Sequence, residues 1–258
     1  MIKSNRLATL IKAGNWSDVF LMHDDEYGDV ARKYLHYASL EQTMREHKCS
    51  LDAYVNGLPV PKPLNIGYCK IAKKYYIDSI FLPFVALRDN DIVTLLGDII
   101  TLAEQLKSIN CVGCEKNWWN IYHDDLKKAL MCCVNGLPFS GGEKRMLIMC
   151  YDWLINLKPV NFIHGDFALQ NMGLYRGKIY IYDFQWGCAG PKDWDISYLL
   201  CQYTPALTEV LYLVNKKVLF TTLTCAAIKL GRGILAKNNI EVRLSLLHAW
   251  IDMAKTYL

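Results

Sequence analysis

The chain has little net charge, no apolar run of membrane-spanning length and no internal repeats or Ser/Gly-rich linkers. Its 258 residues carry a net charge of +4, and because the basic residues are scattered, the composition gives little support to DNA or RNA binding. The longest apolar segment, residues 210–230, is broken by Asn215-Lys216-Lys217, whereas a membrane span needs roughly 18 consecutive apolar residues. We therefore interpret this segment as buried helix and expect neither a nucleic acid nor a membrane as partner.

We expect no export signal, since residues 1–6 lead into an amphipathic stretch rather than into the apolar core of a signal peptide. We therefore expect a cytoplasmic protein whose ten cysteines are reduced thiols. Cys111 and Cys114 form a CxxC pair, but the adjacent Cys132 and Cys133 do not supply the second pair that a structural zinc site requires. Hydrophobic residues make up 52% of the sequence, which is enough for a sizeable core in one large domain or two modest ones.

The first third of the chain is predicted to be rich in strands. The pattern predicts four strands, at residues 17–22, 29–34, 64–69 and 75–84, and one helix at residues 39–55. Apolar residues at helical spacing are expected to face inward from this helix, namely Leu40, Met44, Leu51 and Val55. The first third of the chain is therefore predicted to form a small sheet with one helix.

The remainder is predicted to be mainly helical. Helical spacing is present at residues 91–109, 122–135, 143–157 and most of 195–258. Two short strand-like runs, 160–164 and 178–183, are expected to form a small hairpin through a Gly-containing segment at 172–177. This pattern predicts an α+β fold with a lobe boundary near residue 84.

The densest functional signal is the run HGDFALQN at residues 164–171, followed by IYDFQW at 181–186. Phosphoryl transfer needs a carboxylate that accepts or orients the proton of the attacking hydroxyl, and oxygen ligands that hold Mg²⁺ against the phosphates. Asp166 can serve as the base, and Asn171 and Asp183 can serve as the ligands. A loop can wrap Asp166 and Asn171 around one centre, and a short hairpin would return Asp183 to the same side.

The run HGDFALQN resembles the H-G-D-x-x-x-x-N catalytic loop of aminoglycoside phosphotransferases and choline kinases, which are distant relatives of protein kinases. IYDF resembles the metal-binding strand end of that family, and Gly187, Pro191 and Asp195 resemble its downstream G-x-x-x-P-x-x-x-D. The resemblance implies a two-lobed protein-kinase-like fold. Residues 1–84 would form a small nucleotide-binding lobe with a sheet and one helix, and residues 85–258 a larger, mainly helical catalytic and substrate-binding lobe.

The resemblance also assigns roles to these residues. Asp166 would be the catalytic base and Asn171 and Asp183 the Mg²⁺ ligands, while His164 and Asp195 would support the loop. The implied cofactor is Mg²⁺, and the implied co-substrate is ATP, with GTP as the alternative.

Two N-terminal segments resemble the nucleotide-binding parts of the same family. In residues 13–19, Gly14 and Ser17 would offer backbone N–H groups and a hydroxyl to phosphate oxygens, although a simple turn is an equal alternative.

The segment Val30-Ala31-Arg32-Lys33 resembles the V-A-x-K strand, whose lysine contacts the phosphates. Strand alternation favours Lys33, but a one-residue slip would select Arg32 instead. Glu46 on the following helix is expected to hold the lysine, and Glu41 is a nearer but earlier alternative.

The tract after Asp183 indicates the substrate class. Only eleven residues separate Asp183 from Asp195, which leaves no room for an activation loop or a peptide groove, so we expect a small-molecule alcohol as acceptor. From Leu199 onward three acidic residues stand against seven basic ones, which argues against a polycationic aminoglycoside without excluding it.

Several aromatic residues could instead form a box for a quaternary ammonium, as in choline: Trp118, Trp119, Tyr122, Trp186, Trp194 and Trp250. The alternatives to a general small-molecule kinase are thus a choline/ethanolamine-type kinase and a catalytically silent nucleotide-binding module.

Overall fold

The computed structural model describes residues 8–14, 16–109, 118–159, 161–203 and 215–257. The chain divides into two compact units. The sheet unit comprises the described residues of Met1–Asp89 and Leu169–Gly187, and the helical unit those of Asn90–Ala168 and Cys188–Leu258. Residues 169–187 thus belong with the N-terminal sheet, whereas the sequence suggested a single division at residue 84.

The sheet unit contains a five-stranded antiparallel sheet in the order β1-β2-β3-β5-β4. Its strands are β1 (Thr9–Ala13), β2 (Ser17–Asp24), β3 (Gly28–Leu35), β4 (Pro63–Cys69) and β5 (Lys74–Ile80). The turn between β2 and β3 forms because Asp24 accepts the backbone N–H groups of Glu26 and Tyr27 and Gly28 adopts a φ of +76°. Strand β1 was not predicted, so the Gly14 loop lies between two strands and not ahead of the first one.

Helix α1 (Leu40–Val55) follows β3 and begins with a capping box between Ser39 and Gln42. The prediction of its inward face was wrong. Leu40, Met44, Leu51 and Val55 are 48%, 52%, 38% and 66% exposed, whereas Thr43, Glu46, Cys49 and Ala53 are buried. The buried face is selected by small side chains that permit close approach and by the ionic partner of Glu46, and neither contributes to apolar periodicity.

The sheet unit also contains a three-stranded sheet in the order β6-β8-β9. It is formed by β6 (Val85–Ala86), β8 (Met172–Tyr175) and β9 (Lys178–Ile181). The hairpin turn places Arg176 and Gly177 at φ values of +50° and +75°, as tight two-residue hairpins require. The predicted pairing of residues 160–164 with 178–183 is therefore wrong, because β8 takes the place beside β9.

The helical unit is built around one central helix. Its helices are α2 (Ile92–Lys107), α3 (Trp118–Gly136), α4 (Gly141–Ile155), α5 (Trp194–Leu200), α6 (Lys216–Leu235) and α7 (Glu241–Tyr257), and β7 (Asn161–Ile163) pairs with β10 (Cys188–Gly190). Helix α6 packs against α3, α4, α5 and α7. At Gly231 a Cβ atom would lie 1.8 Å from the carbonyl oxygen of Ala129, so α3 and α6 meet backbone to backbone.

Among the described residues, one helix has the length and apolarity of a membrane span, and it is Lys216–Leu235. However, 78% of its most apolar window is buried inside the protein, and the core helix of a soluble protein passes the same test. We interpret α6 as the core helix of this unit.

Candidate functional site

Six of the nine predicted site residues belong to the sheet unit and three to the helical unit. In the sheet unit, Lys33 of β3 lies between two carboxylates. Its Nζ donates to Oε1 of Glu46 at 2.7 Å and to Oδ1 of Asp183 at 2.6 Å. The Lys33 and Glu46 side chains are 15% and 5% exposed. Burial opposes the charged form of Lys33, but the two carboxylates outweigh it and raise the pKa of Lys33 above its usual range.

The neighbouring Arg32 lies on the opposite face of β3. Its guanidinium donates to both carboxylate oxygens of Asp78 at 2.8 Å and lies 3.9 Å from the ring centroid of Tyr76. Strand alternation thus gives the two basic residues separate partners. The contact expected between Lys33 and Glu46 is present, whereas the part of either residue in nucleotide binding stays a prediction.

Asn171 and Asp183 lie at the same end of the β8–β9 hairpin. Asn171 precedes Met172, which pairs with Ile181, and the backbone N–H of Tyr182 donates to the carbonyl of Asn171 at 3.0 Å. Asp183 follows directly in the left-handed conformation, with φ +70° and ψ +63°, which Asp tolerates better than most residues. The hairpin therefore brings Asp183 back beside Asn171, although its first strand is β8 and not the predicted run 160–164.

This pair fits a magnesium ion by the chemistry of its donors. A carboxylate and a side-chain amide both offer hard oxygen atoms, which Mg²⁺ prefers. Asn171 is 4% exposed and thus fixed by its surroundings. No cluster of three or more His, Cys, Asp or Glu side chains that could hold a metal occurs in the described parts of the chain.

The turn that follows Asp183 is packed against α1. The thiol of Cys49 donates to the carbonyl of Gly187 at 3.3 Å, and a Cβ atom at Gly187 would lie 3.0 Å from the Cβ of Cys49. Glycine at this position permits the close approach. The helix that carries Glu46 and the turn that follows Asp183 are thus held against each other within the sheet unit.

The loop predicted to cover the phosphates connects β1 and β2. Gly14 is exposed, and Ser17 is the partly exposed first residue of β2. The adjacent Asp18 accepts from His36 at 2.8 Å, and this hydrogen bond, with smaller effects of Lys74 and the Gly14 backbone, lowers the pKa of Asp18. A phosphate-binding role for Gly14 and Ser17 stays a prediction.

In the helical unit, Asp195 holds the loop that contains Asp166. Its two carboxylate oxygens accept the backbone N–H groups of His164 and Gly165 at 2.8 and 3.0 Å. Burial raises the pKa of Asp195, although His164 and the two N–H donors oppose this shift. The fully buried His164 accepts the backbone N–H of Asp166 at its Nδ1, 3.3 Å away.

Two further α5 residues contact the same loop. The indole N–H of Trp194 donates to the carbonyl of Gly165 at 3.1 Å, and the side chain of Tyr198 hydrogen-bonds that of Asp166. Burial, and after it the charge and hydrogen bond of Asp166, raise the pKa of Tyr198 well above its ordinary value. Tyr198 lies one helical turn after Asp195, so the i, i+3 spacing is the sequence signal that could have identified it.

The structure does not support an aromatic box at two of the suggested residues. Trp194 and Trp250 are 2% and 1% exposed and are packed in the core of the helical unit. The side chains of Trp118, Trp119 and Tyr122, and the CxxC pair Cys111 and Cys114, lie outside the described residues. The eight described cysteines are free thiols.

The fold is of the kinase-like class. The model of the phosphotransferase enzyme family matches residues 8–216. The chain belongs to this family, which confirms the resemblance to aminoglycoside phosphotransferases and choline kinases. A comparison with curated proteins finds no match.

Three solved structures illustrate the similarity. Amicoumacin kinase hAmiN, in complex with AMP-PNP, Ca²⁺ and Ami, is 13% identical with a TM-score of 0.66 over 96% of this chain and 88% of that one. Choline kinase LicA from Streptococcus pneumoniae is 12% identical, with a TM-score of 0.64 over 97% and 94%. The GDP complex of aminoglycoside 2'-phosphotransferase-IIIa is 14% identical, with a TM-score of 0.62 over 98% and 95%. These likenesses confirm the α+β kinase-like fold.

Proposed function

We propose that the protein is a Mg²⁺-dependent kinase that transfers the γ-phosphate of ATP or GTP to a hydroxyl group of a small molecule in the cytoplasm. The observation that carries this proposal is the contact of Lys33 with both Glu46 and Asp183. A buried ion pair is weak evidence for a purely stabilising role, because desolvation offsets most of its attraction. A lysine fixed beside a potential metal ligand is what phosphate binding requires.

Each residue has a distinct role in this proposal. Lys33, oriented by Glu46, contacts phosphate oxygens, and Gly14 and Ser17 offer further donors to them. Asn171 and Asp183 hold Mg²⁺, which when bound neutralises charge on the phosphates.

Asp166 accepts the proton of the acceptor hydroxyl. His164 and Asp195 fix the backbone of its loop, so that the carboxylate is presented in one orientation. They do not react.

The names of the similar proteins support a small-molecule acceptor. One is a kinase of amicoumacin, one of choline and one an aminoglycoside phosphotransferase. These names describe those proteins, and at 12–14% identity they do not select an acceptor for this chain.

Nucleotide binding with and without Mg²⁺ tests the proposal. We expect Asp183→Asn to lose Mg²⁺-dependent affinity for ATP and GTP, and Asp166→Asn to retain this affinity but lose phosphoryl transfer. Asp29→Asn, a change at a carboxylate that is 63% exposed, is the matched control and should do neither.

Unchanged Mg²⁺-dependent affinity in Asp183→Asn would remove the metal assignment. If the wild-type protein and Asp166→Asn both bound nucleotide and were equally inactive towards a broad panel of alcohols, the chain would be a silent binding module.

A further inference from the structure

A tyrosine and a lysine of the helical unit lie close to Asp166. Tyr198, which is 8% exposed, hydrogen-bonds Asp166 with its side chain. The ammonium group of Lys229 on α6 lies 4.1 Å from the centroid of the same phenol ring. Because a hydrogen bond spans about 3 Å, Lys229 Nζ lies within about 10 Å of the Asp166 carboxylate.

Lys229 is partly exposed, and it forms no ion pair with any carboxylate in the parts of the chain that the structure describes. Its ammonium group lies against the Tyr198 ring, a contact worth less than a charge-assisted hydrogen bond. The ammonium protons thus keep capacity for a stronger acceptor.

Two arginines add to the positive charge around the same side chains. Arg243 of α7 donates to the backbone carbonyl of Lys229 at 3.4 Å, and Arg232 lies on α6 one turn beyond Lys229. The cations whose charges act on buried Tyr198, Cys201 and Cys225 are Lys229, Arg232 and Arg243, and the carboxylates of Asp166 and Asp195 act on the same side chains. Both oxygens of Asp195 already accept backbone N–H groups.

A cationic acceptor would therefore be repelled by a like charge near Asp166. The Tyr198 ring, which could otherwise receive a quaternary ammonium, already lies against the ammonium group of Lys229. We propose that Lys229 binds an anionic group, a carboxylate or a phosphate monoester, on the acceptor whose hydroxyl gives its proton to Asp166. This inference rests on the proposed function. The short distance between the two residues favours an acceptor whose hydroxyl and anionic group are a few bonds apart.

Acceptors that share a three-carbon skeleton isolate the effect of charge. Glycerate and glycerol 3-phosphate are anionic, glycerol is neutral and 3-amino-1,2-propanediol is cationic. Their dissociation constants would be measured by NMR titration of the full chain with Mg²⁺ and a non-hydrolysable ATP analogue, and phosphoryl transfer would be followed with ATP and GTP.

We expect at least one anionic compound to bind about tenfold or more tightly than glycerol, as a hydrogen bond to a charged group predicts, and the cationic compound to bind more weakly. Lys229→Gln should abolish this preference and Lys229→Arg should preserve it. Lys217→Gln removes an exposed charge from the same helix and should leave the preference intact.

Equal binding of the four compounds, tighter binding of the cationic compound, or a preference that survives Lys229→Gln would overturn the inference. These outcomes are separable from failure of the proposed function, in which the wild-type protein would bind no nucleotide in a Mg²⁺-dependent manner. Tighter binding of glycerate than of glycerol 3-phosphate would identify the anionic group as a carboxylate, and the reverse order as a phosphate.

Discussion

Lys33 and Asp183 are 150 residues apart in sequence, yet Nζ of the lysine lies 2.6 Å from Oδ1 of the aspartate. The same nitrogen contacts Glu46, whose side chain is only 5% exposed. One cation thus neutralises two carboxylates, and its removal would take from the buried Glu46 the ammonium group that it contacts.

Replacement of Lys33 by Met should therefore destabilise the protein by about 3 kcal/mol at pH 7, the usual effect of breaking one side of a buried ion pair. The double variant Lys33→Met/Glu46→Gln should recover a large part of the stability, because it leaves no buried charge unpaired. Denaturant unfolding of the two single variants and the double variant measures this coupling.

Additive losses in the double variant would contradict the prediction. Arg32→Met is an informative comparison, since its partner Asp78 belongs to a separate ion pair. Its effect should not depend on Glu46→Gln.

The hydroxyl group of Tyr198 gives a second prediction. The pKa of this phenol is raised well above 10, first by burial, so the group remains protonated at physiological pH and can only donate to the Asp166 carboxylate. Tyr198 is then a positioning residue. Tyr198→Phe should lower kcat about tenfold, as the loss of a hydrogen bond to a charged group predicts, and leave nucleotide affinity unchanged.

Steady-state kinetics with separate measurement of kcat and KM provide the test. A change in thermal stability without a change in kcat would indicate that Tyr198 has only a structural role. Tyr54→Phe is a control because it removes the hydroxyl of an exposed tyrosine of the sheet unit.

Most of the secondary structure could be predicted because local rules determine it. Hydrogen bonds with neighbouring backbone groups set the start of α1 at Ser39, its end at Asn56 and the turn at Asp24. Strand β8 was missed since its four residues, Met172–Tyr175, include a glycine and are too short for a visible alternation. The inward face of α1 was assigned wrongly because it depends on partners distant in sequence, among them Gly187.

Some site residues can likewise be identified from local sequence, whereas others depend on partners distant in sequence. Strand alternation decides whether Lys33 or Arg32 faces Glu46 once the register is known, and the register depends on pairing with β5. Lys229 had no local signal, because its significance comes from a contact with Tyr198, 31 positions earlier. Spacing can identify the residues of one loop, but not the helix that will pack beside it.

The contact between α3 and α6 provides a prediction about stability. A Cβ at Gly231 would lie 1.8 Å from a backbone oxygen of Ala129, and backbone atoms cannot be displaced by a rotamer change. Gly231→Ala should therefore destabilise the protein by about 3 kcal/mol or more. Gly97 is an exposed residue in the middle of α2, where an added Cβ would have no atom within 4 Å. Gly97→Ala should therefore stabilise the protein by about 0.5–1 kcal/mol.

Thermal unfolding distinguishes the two glycines, since their substitutions should shift the midpoint in opposite directions. Equal effects of the two changes would show that α3 and α6 do not approach as closely as the structure indicates.

The Glu143 carboxylate at the start of α4 gives a dependence of stability on pH. It accepts the backbone N–H of Ser140 at 2.9 Å and the ammonium group of Lys255 at 3.0 Å, and these contacts, led by the backbone hydrogen bond, lower its pKa to about 2. A carboxylate whose folded-state pKa is lowered contributes stability above its unfolded value of 4.5 and loses it as the pH falls towards 2. Glu143→Gln should thus cost about 1 kcal/mol at pH 7, and this difference from the wild type should shrink progressively between pH 4.5 and 2.

Urea unfolding of both proteins at several pH values measures the difference directly, independently of the general loss of stability in acid. Asp252→Asn is the matched control, because Asp252 pairs with the same lysine but is 72% exposed, and its substitution should have little effect at any pH. A difference between wild type and Glu143→Gln that stays constant down to pH 3 would mean that the substitution destabilises the protein through altered packing and not through loss of the charge. The capping box would then hold α4 through geometry alone.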